Sequence, residues 1–262
     1  MRRSIECQGG DGFRYDARVS ALTPILTRTP VSRIEDVVAV MNQIDAALAR
    51  SDGISCFNKL YLAVTENVLA QVAQATFADP RFLAALDVTF ANLYFAALRA
   101  FDAGAAATPR AWLPLFESRA RPTVAPIQFA LAGMNAHINR DLPPALVDTF
   151  SALGLAPEEG GDGGGAQRAD FERVNVLLAK TEKEVKDLYL DPLARQLDAQ
   201  FHGVDDVVAI WGVGAARDAA WTNGQALWHL RSIPALAQAY LRTLDRSVGF
   251  ASRGLLLATG TC

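Results

Sequence analysis

The stretch PIQFALAGMNAHINRDLPP, residues 126–144, predicts the helix around which the rest of the chain is organised. Pro126 suits the first turn of a helix, and the tandem Pro143-Pro144 is expected to end it. At about 100° per residue, apolar side chains lie on nearly every side of the first half. We therefore expect a helix over 126–142 that is buried at the centre of the fold.

The second half of this helix carries a run of polar side chains: Asn135, His137, Asn139, Arg140 and Asp141. Polar groups inside a core need protein partners, or a cavity that holds water or a ligand. This end of the helix is therefore the leading candidate for a functional site.

Composition excludes several classes of partner. The chain has 262 residues, 51% of them hydrophobic and 20% charged, with a net charge of −3 and no block rich in lysine or arginine. This argues against nucleic acid or an anionic membrane as the main partner. Three widely spaced cysteines suit a reducing compartment. No apolar run approaches the roughly 20 residues of a membrane span, so we expect a soluble cytoplasmic protein.

The architecture is predicted to be all-α. Apolar positions recur at helical spacing along most of the chain, and no long segment alternates with period two. We expect one bundle of about seven or eight helices around helix 126–142. Residues 1–28 should be irregular, residues 29–262 should form the domain, and the glycine-rich segment 155–168 should be a flexible loop.

A helix predicted to begin at Pro80 carries a carboxylate inside its apolar stripe. Asp87 lies on the same face as leucine and phenylalanine side chains that must be buried. A buried carboxylate needs a partner, a raised pKa or a ligand. We expect a direct or water-bridged contact from Asp87 to His137, Arg140 or Arg217.

A second polar group is predicted on a long helix near the C-terminus. Arg217 lies on one line with Trp221 and Trp228. Its guanidinium is expected to stack on Trp221 or to pair with Asp87 or Asp141.

His137 and Asp141 are one helical turn apart, and four interpretations of this pair remain open. They are a structural pair, an acid–base pair in which the carboxylate orients the imidazole, a pair of metal ligands, or a ligand-binding pair without chemistry. With three histidines in the chain, a metal site would combine His137 with carboxylates such as Asp87, Asp141 and Glu66. That set suits a single hard divalent metal or a non-haem iron.

The favoured function is that of an enzyme performing metal-independent acid–base chemistry on a small, largely apolar metabolite. A cyclisation, isomerisation, elimination or hydrolysis would suit the pattern, and no cofactor is expected. His137 would be the general acid or base, Asp141 would orient it, and Asp87 would complete the catalytic set. The expected substrate-binding residues are Asn135, Asn139, Arg140, Arg217, Trp221 and Trp228. The alternatives are a metal-dependent hydrolase and a non-catalytic small-molecule-binding or scaffold protein.

Four phrases of the sequence together resemble an uncharacterised bacterial family, domain of unknown function 5995, which is common in actinomycetes. They are FNKLYLAVTENV (57–68), FLAALDVTFANLYFAAL (82–98), FALAGMNAHINRDLP (129–143) and the AW…LW…LR pattern at 220–231. The resemblance spans about residues 30–255 and implies a soluble protein. The residues that match the family's motifs are Asn135, His137, Asn139, Arg140 and Asp141, with Asp87 and Asn92 in the second segment.

Overall fold

The computed structural model describes residues 20–74, 76–104, 106–157, 165–176, 178 and 212–257. Every regular element within these residues is helical, which confirms the all-α prediction. A 3-10 turn at Ser20–Leu22 is followed by α1 (Thr23–Leu26), α2 (Ile34–Ala47), α3 (Gly53–Ala73), α4 (Pro80–Asp102), α5 (Leu113–Ser118), α6 (Pro126–Ala136), a π-helical turn (His137–Asp141), α7 (Leu142–Leu153), α8 (Val213–Leu230) and α9 (Pro234–Leu255). Residues 166–176 are also helical.

Helix α6 is the buried helix that the sequence predicts. It begins at Pro126, and every residue from Ile127 to Ala136 is buried. It packs mainly against α3 on one side and α9 on another, while α7 packs against α4 and α8. Helix α6, which is apolar on nearly all sides, therefore lies at the centre of the bundle, as expected.

The end of this helix differs from the prediction. The α-helix stops at Ala136, the π-helical turn follows, and α7 continues directly from Leu142 with Pro143 and Pro144 in its first turn. The N–H of Leu142 donates to the carbonyl of His137, five residues back. Proline has no N–H to donate to the preceding turn, and widening that turn by one residue lets the chain pass both prolines without breaking the helix. The predicted stop at residue 142 is therefore wrong.

Helix α4 begins where predicted, because the Asp79 side chain accepts from the N–H of Phe82 at 3.0 Å. By length and composition this helix could cross a membrane, with a mean hydropathy of 1.3, which corrects the expectation that no segment approaches that size. Half of its most apolar 18-residue stretch is buried inside the protein, as is typical of a core helix in a bundle. Asp87 is carried inward on the buried face, 9% exposed, as the sequence predicts.

The crossing of α3 and α6 is unusually close. Gly133 lies against Phe57, so close that a Cβ at this position would overlap the Phe57 ring. Glycine is needed here because any side chain would separate the two helices. The close crossing seats Phe57 deep in the core, where it is fully buried.

Two predicted segment boundaries change. Residues 1–28 were expected to be irregular, yet Ser20–Leu26 is helical in two short turns, and Leu22 and Leu26 are buried. The predicted flexible loop 155–168 ends earlier, since residues 166–168 already belong to a helix. Residues 1–19 and 158–164, which carry the rest of these two predictions, lie outside the described residues.

Candidate functional site

The π-helical turn positions the predicted histidine and carboxylate. His137 begins the turn and Asp141 ends it, and both side chains are buried, 1% and 0% exposed. The Nδ1 atom of His137 lies 3.2 Å from Oδ2 of Asp141. The expected proximity of the two side chains is therefore observed.

Asp141 is the centre of a hydrogen-bond network. The indole N–H of Trp112 donates to Oδ2 at 2.9 Å, and Nη1 of Arg140 donates to Oδ1 at 2.6 Å. Both oxygens therefore have donors in addition to the imidazole. A carboxylate can only accept, so the shared proton belongs on Nδ1 of His137 and the lone pair of the neutral ring is on Nε2.

Arg140 ties this pair to the end of the bundle formed by α9. Its Nε lies 3.6 Å from Oδ1 of Asp245, and Asp245 also accepts from the backbone N–H groups of Arg110 and Ala111 at 3.0 and 3.1 Å. Asp245 thus fixes the position of Arg140, and the backbone of Arg110 and Ala111 fixes the position of Asp245. Arg140 therefore contacts a carboxylate on each side, Asp141 and Asp245.

Aromatic rings enclose the imidazole. The Phe90 ring lies parallel to that of His137 at a centroid distance of 3.4 Å and an angle of 4°, and the Tyr61 ring meets it edge-on at 4.4 Å. The remaining rings around it belong to Phe57, Tyr94 and Trp112. Burial lowers the pKa of His137, and the hydrogen bond to Asp141 only partly opposes this. The imidazole is therefore neutral at physiological pH.

The second nitrogen of the imidazole is left open. Nε2 of His137 is buried and has no hydrogen-bond partner within the described part of the chain. A buried polar atom normally finds a partner, so this nitrogen carries unused capacity to accept a proton or a hydrogen bond. It is the chemically available atom of the His137–Asp141 pair.

Asp87 is buried as expected, but the expected direct contact is not made. No hydrogen bond or ion pair within the described residues joins it to His137, Arg140 or Arg217, and its Oδ2 has no partner. Burial raises the pKa of Asp87 to about 7, and the charge of Arg217 acts in the opposite direction. The direct form of the prediction is therefore wrong, because Arg217 turns its hydrogen bonds elsewhere; a water-bridged contact stays a prediction.

Tyr61 is a buried polar group that is not among the predicted site residues. Its hydroxyl and the Oγ1 of Thr65, one turn further along α3, are both buried, and each has no other partner than its neighbour among the described residues. Burial raises the pKa of Tyr61 well above its usual range, and the charge of Asp87 adds to the effect. The phenol is therefore protonated.

Arg217 is buried but stacks on a different ring from the one predicted. Its guanidinium carbon lies 4.0 Å from the centre of the Phe171 ring, while Arg168 lies over Trp221 at 5.1 Å. Its Nε donates to Oδ1 of Asn175 at 2.6 Å. The stacking prediction is wrong because the helical segment 166–176 inserts Phe171 against α8. Burial lowers the pKa of Arg217 to about 9.

Asn135 and Asn139 bind protein groups on α9 and on each other. Nδ2 of Asn135 donates to the carbonyl of Val248 at 3.2 Å and to Oγ of Ser252 at 3.0 Å. Nδ2 of Asn139 donates to Oδ1 of Asn135 at 2.9 Å. This amide chain joins the central helix to α9, and a substrate-binding role for it stays a prediction.

Trp221 and Trp228 line one side of α8 through contacts with Phe150. The ring of Phe150 meets Trp221 edge-on at 5.8 Å and Trp228 at 6.1 Å. Arg231 covers Trp228 at 3.7 Å. Both tryptophans therefore contact the interface of α7 and α8, and no ring contact joins either of them to His137.

A metal held jointly by His137 and Asp141 conflicts with the hydrogen bonds of the pair. Both oxygens of Asp141 are already engaged, and Nδ1 of His137 points at one of them. Glu66, a further candidate ligand, lies on the exposed side of α3. The described residues contain no group of three histidine, cysteine, aspartate or glutamate side chains close enough to hold a metal ion.

An open cleft of about 410 Å³ lies elsewhere, beside the loops that precede α3 and α6. Its polar lining includes the ion pair between Arg119 and Asp52, whose nitrogen and oxygen are 2.7 Å apart. None of the predicted site residues lines this cleft.

Trp112, Tyr61 and Phe90 are the residues of the site that the sequence analysis missed. None of the three is among the predicted site residues, and all three are buried with the core. The one available signal was the hydroxyl of Tyr61 in an otherwise apolar stripe, since a buried phenol needs a partner.

Comparison with known proteins gives a family match across most of the chain. The model of a family of unknown function, DUF5995, matches residues 34–258. The matched range contains both polar segments described above, with Asp87 in one and His137 in the other. No curated protein and no solved structure gives a match to the chain.

Proposed function

The chain belongs to the family of unknown function DUF5995, and we propose that it is an enzyme in which His137 moves a proton on a small, largely apolar molecule. The observation that carries the proposal is that one nitrogen of the His137 imidazole is oriented by a carboxylate while the other has no hydrogen-bond partner among the described residues. Nδ1 of His137 is held by Asp141, and Nε2 is buried and without a partner in the described residues.

The chemistry of this pair is that of a general base. With Nδ1 holding its proton toward Asp141, Nε2 presents a lone pair to a bound molecule. When Nε2 accepts a proton, the resulting imidazolium lies beside the charge of Asp141, which stabilises it. Trp112 and Arg140 hold the carboxylate in position through the whole cycle.

The surroundings indicate the class of substrate. Five aromatic rings contact His137, which favours an apolar molecule over a charged one. The exclusion of water strengthens the electrostatic interactions inside the site. His137 is 1% exposed, so entry of a substrate requires local opening of the surrounding side chains. We propose no cofactor, a cytoplasmic location and a small-molecule partner rather than nucleic acid or membrane.

The test begins with a thermal-shift screen of apolar metabolites, since a ligand that binds the folded state raises the melting temperature. Compounds that bind are then incubated with the wild type and with His137→Asn and analysed for products by mass spectrometry. Asparagine keeps an amide N–H near the position of Nδ1 and removes the base at Nε2. We expect binding to persist and turnover to fall by about 10²–10⁴-fold.

His229→Asn is the matched control, because this histidine lies on the exposed side of α8. It should turn over substrate at the wild-type rate. Binding without any His137-dependent product would support the rival interpretation of a non-catalytic binding protein and would overturn the proposal.

A further inference from the structure

We infer that Tyr61 and Asp87 form the second half of this site, as two O–H donors that hold the oxygen of a carbonyl substrate while His137 removes a proton from the adjacent carbon. This names the substrate class of the proposed function and rests on it. The substrate would be a small apolar ketone, aldehyde or ester with a hydrogen on the carbon next to the carbonyl group.

Helical spacing brings these donors to the same face as the imidazole. On α4, Asp87 precedes Phe90 by three residues, so both side chains lie on one side of the helix. Phe90 is the ring that stacks on His137, and Tyr61 contacts both rings, at 5.9 Å from Phe90 and 4.4 Å from His137. Tyr61 therefore contacts the imidazole directly, and Asp87 lies on the same face of α4 as Phe90, which stacks on the imidazole.

The unused hydrogen-bonding capacity of this cluster points to a missing partner. Asp87 Oδ2 and His137 Nε2 are buried and unpaired among the described residues, and the buried Tyr61 hydroxyl has only the Thr65 hydroxyl beside it. Leaving a buried polar group unsatisfied costs about 1–3 kcal/mol, and native proteins tolerate few such groups. Two such atoms and a phenol held only by a neighbouring hydroxyl, on elements that meet at the Phe90–His137 ring stack, indicate a place where a polar atom of a ligand belongs.

The carboxyl group of Asp87 and the phenol of Tyr61 are both suited to donate a hydrogen bond as neutral groups. Burial raises the pKa of Asp87 to about 7 and that of Tyr61 well above its usual range, so at mildly acidic pH both carry a proton. The charged groups that act on them are Arg217, which lowers the pKa of Asp87, and the ionised forms of Asp87 and Asp141, which raise that of Tyr61. Two neutral O–H groups in an apolar site stabilise a developing oxyanion without a buried counter-charge.

The proton and the electrons balance within the substrate and the three side chains. The C–H bond next to the carbonyl breaks, its proton goes to Nε2 of His137, and its electron pair becomes the new C=C bond. The carbonyl π pair moves to the oxygen, which accepts hydrogen bonds from Tyr61 and Asp87. Return of the proton to the same or another carbon regenerates the imidazole, and no oxidant or reductant is consumed.

The binding half is tested with 2-naphthol, whose oxygen on a planar apolar ring resembles an enol, and with naphthalene, which lacks the oxygen. Fluorescence titration at pH 6 measures both dissociation constants. We expect 2-naphthol to bind at least 10-fold more tightly than naphthalene. Tyr61→Phe and Asp87→Leu, in which leucine has the shape of the aspartic acid side chain and no donor, should each weaken 2-naphthol binding by about 10-fold, the worth of one hydrogen bond, and leave naphthalene binding unchanged.

Tyr240→Phe is the control for loss of a phenol, because the Tyr240 hydroxyl donates to Asn223 at 2.7 Å and lies outside the cluster. It should leave both dissociation constants unchanged. Melting temperatures of all variants show whether each one is folded. Equal binding of the two probes, or a naphthol preference that survives both Tyr61→Phe and Asp87→Leu, overturns the inference.

The catalytic half is measured separately, as exchange of the hydrogens next to the carbonyl of cyclohexanone in D₂O followed by NMR. Wild-type exchange above the buffer rate that is lost in His137→Asn supports the inference and the proposed function together. A His137-dependent reaction of another substrate class, with no naphthol preference, overturns the inference and leaves the proposed function standing. A naphthol preference that depends on Tyr61 and Asp87 but comes with no His137-dependent reaction supports the oxygen site and overturns the proposed function.

Discussion

The indole N–H of Trp112 donates to Oδ2 of Asp141 at 2.9 Å, and the same oxygen lies 3.2 Å from Nδ1 of His137. One carboxylate oxygen is therefore shared between a fixed donor and the imidazole. Trp112 lies just before α5 and is fully buried, so the orientation of the histidine depends on a residue 29 positions away from Asp141 in the chain.

The first prediction concerns Trp112→Phe, which removes this donor and keeps an aromatic ring. The free energy of unfolding should fall by about 1.5–3 kcal/mol, the usual worth of a hydrogen bond to a charged group. The pKa of His137 should rise, because Oδ2 of Asp141 then interacts with the imidazole alone. Urea unfolding and an NMR titration of His137 measure the two effects.

Trp221→Phe provides the control for loss of indole volume. Trp221 is also buried, at 6% exposure, and no hydrogen bond of its indole N–H occurs in the described residues. It should leave the His137 titration unchanged. If the two tryptophan variants shift the His137 pKa equally, the hydrogen bond to Asp141 is not what orients the imidazole.

The second prediction is a pH dependence that belongs to Asp87. Its folded pKa is about 7 and its ordinary pKa is near 4, so between these values the folded state binds more protons than the unfolded state. Stability from this group is fully present below about pH 4 and is lost as the pH rises through 7, by up to about 4 kcal/mol. Asp87→Asn removes this dependence and should be more stable than the wild type at pH 8.

The comparison is made by urea unfolding of both proteins from pH 4 to pH 8. His137 contributes in the opposite direction, because its lowered pKa removes stability as the pH falls below about 6.5, but it is common to both proteins and cancels in their difference. Asp87→Ala should be less stable than Asp87→Asn, since alanine also leaves a small cavity and keeps no hydrogen bonds. A wild-type minus Asp87→Asn difference that is flat with pH would show that folding does not raise the pKa of Asp87.

The third prediction concerns metal. The oxygens of Asp141 are held by Trp112, Arg140 and His137, so we expect purified, unchelated protein to contain less than about a tenth of an equivalent of any transition metal. Elemental analysis measures this directly, and dialysis against a chelator should leave the melting temperature unchanged. A stoichiometric metal that is lost with activity in His137→Asn would favour the alternative of a metal-dependent hydrolase.

Local patterns predicted the fold well, because the signals that start helices are local. Pro126 and the Asp79-Pro80 pair mark observed helix starts, and the apolar periodicity placed Asp87 on a buried face. The π-helical turn could not be predicted in this way. The tandem prolines are compatible with both a helix end and a widened turn, and the packing of α7 against α4 and α8 favours the second.

The candidate site was predicted in part for the same reason. The approach of His137 to Asp141 follows from their spacing of four residues, whereas the partners of each come from distant segments. Arg217 was predicted to stack on Trp221 but stacks on Phe171. Helical spacing predicts which side chains share a face of one helix, and it does not predict which residue of another segment packs against that face. Tyr61 is absent from the predicted site because an aromatic residue at an apolar position gives the same sequence pattern in a core and in a binding site.

The last prediction concerns Gly133, at the closest approach of α3 and α6. Gly133→Ala places a Cβ against Cγ and Cβ of Phe57, atoms near the backbone that cannot swing away. Alanine gains roughly 1 kcal/mol of helix propensity over glycine, but overpacking of a core costs about 1–3 kcal/mol, more where the backbone must move. We therefore expect net destabilisation by urea unfolding. The NMR signals of His137 should also shift, because Phe57 meets its ring at 5.7 Å.

Gly214→Ala is the matched control, since Gly214 also lies in a helix, α8, and a Cβ there would meet no atom within 4 Å. This variant should be as stable as the wild type or up to about 1 kcal/mol more stable, with the His137 signals unchanged. The contrast separates helix propensity, common to both variants, from the close crossing at Gly133. Equal stability of the two variants would mean that α3 and α6 separate easily, and Phe57 would then not fix the position of the imidazole.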